Sequence, residues 1–151
     1  MADDLVDRLL AQTGLHLGHS LQVPEGLEGV ARIVVTALPG RSGVTFDYEG
    51  LSQNPQRPRP HSEHAVLGRT SAGLALYTAH IHGGGEWGAP VLTELRETEP
   101  GYFEAVEGAS PFPLAIRIEV PSAGRLIYTW SFGDPGGKLA VRIIGDVILV
   151  Y

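Results

Sequence analysis

A chain of 151 residues that is 43% apolar and 19% charged can bury one core and is too apolar to stay disordered. It contains no cysteine, which excludes disulfides, thiolate zinc sites and cysteine nucleophiles. The net charge is −6 and Lys138 is the only lysine, so the clustered cations that nucleic acid binding needs are missing.

The start, MADDLVDRLL, is acidic and makes a poor signal peptide. Residues 3–12 place Leu5, Val6, Leu9 and Leu10 at helical spacing behind Asp3 and Asp4, and Gly14 stops the pattern. A short helix is expected there. His16 and His19 then fall in the connection from helix to sheet, as surface residues.

From Val30 the period becomes two. Residues 30–38 read as a strand, 39–43 as a turn, and 44–49 as a half-buried strand with Val44, Phe46 and Tyr48 on one face. The loop 51–60 carries three prolines. Further strands are expected at 61–68, 74–82, 87–97, 102–108, 113–120, 125–132 and 138–151. Pro90 and Gly145 are the places where two of them could bend. Turns such as 98–101 and 133–137 separate them. No apolar stretch nears the roughly 20 residues of a membrane span, and a cytoplasmic protein is expected.

The expected fold is all-β. It is an antiparallel meander β-barrel of about 8–10 strands with a short N-terminal α-helix, one domain over 1–151 with the barrel from about residue 27. Closure removes exposed strand edges, and a barrel of this size holds either side chains or one small ligand.

The element order, with the segments GVTFDYEGL (43–51) and HSEHAVLGRTSAGLALY (61–77), resembles the calycin group of lipocalins, fatty-acid-binding proteins and nitrobindins. The resemblance implies a barrel that binds a small hydrophobic molecule. In the nitrobindin branch it would imply haem, held by a histidine late in the chain. Here the last histidine is His82, and Gly26-Leu27-Glu28-Gly29 lacks the tryptophan of the nitrobindin Gly-x-Trp-x-Gly start. A haem role is therefore not carried over.

The residues themselves offer several sites. His80 and His82 are two apart on a strand and share a face, with Glu63 or His61 as a third metal ligand if the preceding strand pairs with theirs. Lacking a definite third ligand, no metal is assigned. Glu63 and His64 point to opposite faces, so one is inward and one solvated. An inward Glu63 among apolar neighbours would have a raised pKa. Tyr48, Tyr77, Tyr102, Tyr128, Trp87 and Trp130 suit either a cavity wall or a filled core. Arg117, Arg125 and Arg142 lie opposite their apolar neighbours, and an outward placement is favoured. An inward one would bind a carboxylate head group. HGGGEWG (82–88) resembles an esterase oxyanion loop, but no Gly-x-Ser-x-Gly accompanies it and a turn or lid is expected.

Three functions follow. The favoured one is a carrier or sensor with a ligand-binding set of Tyr48, Glu63, His80, His82, Trp87, Arg117, Tyr128 and Trp130. The second is an isomerase or decarboxylase using Glu63 or His80 as acid–base group with a tyrosine as orienting donor. The third is a filled barrel that self-associates, possible as a homodimer through DVILVY (146–151), which is apolar on both faces.

Overall fold

The computed structural model describes residues 3–23, 25–53, 56, 61–82 and 91–150, without the side chains of 80–82 and 91. Helix α1 spans Leu5–Leu10. The strands are β1 (Gly14–Gln22), β2 (Leu27–Ala37), β3 (Gly43–Ser52), β4 (His61–Thr70) and β5 (Gly73–His82), followed by β6 (Val91–Glu99), β7 (Tyr102–Ala105), β8 (Leu114–Ser122), β9 (Arg125–Phe132) and β10 (Ala140–Val150). Each strand pairs antiparallel with its sequence neighbour, and β1 pairs with β10 to close the barrel. The meander expected from the short turns is the topology found. Among the described residues, no helix is long and apolar enough to cross a membrane.

Period-two alternation fixes what goes inside. Val44, Phe46 and Tyr48 of β3, Ile116 and Ile118 of β8, and Leu126, Tyr128 and Trp130 of β9 are all buried, and most of their neighbours on the other face, though not Ala115 or Ser131, are more exposed. Arg117 and Arg125 accordingly lie on the outer face, as favoured from sequence. Arg125 donates to both carboxylate oxygens of Asp146 at 2.9 and 2.6 Å.

Helix α1 is shorter than the expected 3–12 and plugs one end of the barrel. Leu5, Val6, Leu9 and Leu10 are buried against β2, β3, β4 and β8. Asp4 caps the helix by accepting from the Asp7 backbone N–H at 2.9 Å. Arg69, at the end of β4, donates to Asp4 and to Asp7 at 2.7 Å each, tying helix to barrel.

Strand β1 corrects the reading of residues 14–22 as a connection. Its alternation runs opposite to the usual sense: His16, Ser20 and Gln22 are buried, and Leu17 is 45% exposed. The polar face had to turn inward because β1 joins β2 to β10 in a register that pairs His16 with Ile33 and Leu149. His16 is therefore a core residue, and His19 stands on the outer face beside Asp146.

One further expectation is corrected: the irregularity of β10 lies between Val141 and Ile143, not at Gly145. On the outer face of β10, Ile148 is 62% exposed within the single chain. The bend proposed at Pro90 and the 82–88 loop lie beyond the described residues, apart from the backbone of His82.

His16 yields a pH prediction. Burial lowers its pKa below the ordinary 6.5, although the carbonyls of Gly14 and Ile33 favour the proton. Above that value both folded and unfolded chains hold it neutral. Below it, the unfolded chain binds a proton the folded chain refuses, so stability falls as pH falls. Melting curves of wild type and His16→Leu from pH 7.5 to 5 are expected to shift progressively in favour of the variant. Parallel curves would contradict the assignment.

Candidate functional site

The row that crosses the middle of the barrel is set by register: Ile33 pairs with Tyr48, Tyr48 with Glu63, and Glu63 with the backbone of His80. Partners across a ladder share a face, so Tyr48 and Glu63 both project inward. Glu63 is fully buried, while His64 stands outside with its Nδ1 2.8 Å from Asp47 Oδ1. The expected split of this pair is realised, with the carboxylate as the inward member.

Three neighbours hold Glu63. The Thr78 hydroxyl donates to Oε1 at 2.6 Å. The Tyr128 hydroxyl donates to Oε2. His61 Nε2 lies 3.5 Å from the same oxygen. Burial raises the carboxyl pKa, but the hydrogen bond and charge of His61 and the donors Thr78 and Tyr128 outweigh it, and the net direction is down. The raised pKa expected from an apolar environment is thereby overturned: this pocket is lined with donors. The phenols move the other way. Burial first, then the Glu63 charge, raises the pKa of both Tyr48 and Tyr128, so both remain protonated donors.

Around this cluster runs a column of rings. Phe46 stacks on Tyr128 at 5.5 Å between centroids, and Tyr128 on Tyr48 at 4.8 Å. Tyr48 meets His61 at 5.7 Å, His61 meets Trp130 at 4.5 Å, and Trp130 meets Phe132 at 4.6 Å. Two glycines make room for the Tyr48 ring. A Cβ at Gly145 would lie 2.7 Å from Tyr48 Cε2, and one at Gly50 would lie 2.6 Å from its Oη.

Hydrogen-bonding capacity is left over on the ladder positions next to Glu63 and Thr78. Tyr48 Oη and Thr93 Oγ1 are both buried and meet no partner among the described residues. Thr93 is the ladder partner of Thr78, which itself holds Glu63. Buried hydroxyls without a protein partner are uncommon in folded proteins and are usually met by an ordered water or a ligand.

The expected site residues divide as follows. Tyr48, Glu63, Tyr128 and Trp130 come together in the interior. Arg117 lies outside, 3.7 Å from Glu99 and stacked over Tyr102 at 4.6 Å. The backbones of His80 and His82 pair with Glu63 and His61, but their side chains, and all of Trp87, lie outside the described residues. His61, Thr78 and Thr93 complete the cluster. The sequence signal for His61 was its spacing of two from Glu63. Threonine in a strand carries no such signal, because it is common there for packing reasons.

A hollow of about 540 Å³ is walled by Leu17, Val30 and Leu51 and by the Arg32–Glu49 ion pair at 2.9 Å, and His61 of the cluster is among its lining residues.

Fold and site together define a closed ten-strand antiparallel barrel with a buried carboxylate held by donors in its interior. No family model matches the chain, and no curated protein does. Among solved structures it is similar to the crystal structure of Rv2717c from M. tuberculosis, with a TM-score of 0.63 at 14% identity over 97% of each chain. At that identity the likeness is one of fold. A haem held by a histidine late in the chain, as in the nitrobindin group, would find none here, because the last histidine of the sequence is His82.

Proposed function

We propose that this is a calycin-like barrel that binds one small, mainly apolar molecule in its interior, with the polar end of that molecule beside Glu63. The observation that carries the reading is the pair of buried hydroxyls of Tyr48 and Thr93, without partners among the described residues, on the ladder positions that flank the fully buried Glu63 and its donor Thr78. The ring column from Tyr48 to Phe132 supplies apolar walls, and the few polar groups converge, as is usual in small-molecule sites. The enzyme reading draws less support. Glu63 is already held by three neighbours and its pKa is lowered, which makes it a poor general base near neutrality.

Titration of the purified protein with 2-naphthol, 1-decanol and decanoate tests the proposal, read by tryptophan emission and by native mass spectrometry. Trp130 sits in the site and reports on it. A saturable one-to-one adduct is expected with at least one probe. Tyr48→Phe should weaken it by about tenfold, the value of one lost buried hydrogen bond. No adduct and no change in emission with any probe would contradict it.

A further inference from the structure

Among the described residues the buried set contains the carboxylate of Glu63 and the imidazoles of His16 and His61, and no lysine or arginine. His61 already faces Glu63 at 3.5 Å. Three arginines could have supplied a cation for an acidic ligand, and all are engaged elsewhere. Arg117 is outside with Glu99 and Tyr102, Arg125 is outside on Asp146, and Arg142 stacks over Phe132 at 5.0 Å and donates to its carbonyl.

An anionic head group placed beside Tyr48 Oη would therefore meet the buried Glu63 carboxylate with no lysine or arginine among the described residues to offset it. In a low-dielectric interior that repulsion is large. An uncharged head group meets the opposite situation. Tyr48 and Thr93 each present a hydroxyl that can donate or accept, and both lack partners among the described residues.

We infer that the site selects uncharged, hydrogen-bonding ligands such as amides and alcohols, and rejects carboxylates of the same shape, because the buried Glu63 carboxylate is the inward ladder partner of Tyr48. The inference rests on the ligand-binding reading above and names the ligand class for that same site. It separates this barrel from one that carries fatty acids as anions.

The test uses matched pairs that differ in charge and little else: 2-naphthamide against 2-naphthoate, and oleamide against oleate, titrated at pH 7.5. In each pair that binds, the amide is expected to bind at least about tenfold more tightly. In Glu63→Gln, which keeps the side-chain shape and removes the charge, the carboxylate should recover and the ratio should fall to about threefold or less. Wild-type protein alone already decides the matter if that variant fails to fold. Carboxylates that bind as tightly as their amides would overturn the inference and leave the ligand site standing. A ratio unchanged in folded Glu63→Gln would overturn the role of Glu63. Failure of all four probes and of the three above would remove the ligand site itself, and the selectivity with it.

Discussion

Glu63→Ala is expected to cost about 3–5 kcal/mol of folding stability, a large part of the total for a domain of this size. The side chain has no exposed surface, and its removal leaves the hydroxyls of Thr78 and Tyr128 buried without an acceptor. A void adds to the loss. Glu63→Gln should cost less, about 1–2 kcal/mol, because it fills the same volume and keeps one acceptor oxygen. The pH dependence should follow. With its folded pKa lowered from the ordinary 4.5, the carboxylate contributes stability above that value and loses it as pH falls through the lower folded value. Urea unfolding at pH 7 and at pH 4 measures both effects. An alanine variant within about 1 kcal/mol of wild type would mean that the cluster does not organise the core.

The two glycines under Tyr48 give the second large effect, with an internal control. Gly145→Ala drives a methyl group to 2.7 Å from the Tyr48 ring, which is buried and stacked on Tyr128, so neither side can yield easily. A loss of about 1–3 kcal/mol is expected. Gly50→Ala meets chiefly the hydroxyl, at 2.6 Å, and the ring carbons next to it at 3.1 Å. In a Tyr48→Phe background the cost of Gly50→Ala should therefore shrink, and the cost of Gly145→Ala should not. A double-mutant cycle of chemical denaturation reads the difference directly. Equal coupling of both glycines to the hydroxyl would show that the ring does not lie as described.

These contacts show which parts of the molecule could be read beforehand. The barrel was legible because β3, β8 and β9 alternate in the ordinary sense, with Phe46, Ile116 and Trp130 inward and charged residues such as Asp47 and Arg117 on the other face. Strand β1 was hidden by the opposite choice. It buries His16, Ser20 and Gln22 and exposes Leu17, so hydropathy argued for a surface connection. The placement of Glu63 inside and His64 outside followed from the pleat alone. Its ionisation state did not follow, because the donors Thr78 and Tyr128 come from strands 15 and 65 residues away. The role of Gly145 was likewise out of reach from sequence. Its constraint is a ring on β3, and only closure of the barrel brings β3 and β10 together.

The central claim is that the barrel takes its ligand inside, against Glu63. Backbone amide shifts of ¹⁵N-labelled protein titrated with 2-naphthamide measure this most directly. The account predicts the largest changes at Tyr48, Glu63, Thr78 and Thr93. Changes confined to Leu17, Val30, Arg32 and Leu51, around the hollow that they line, would contradict it.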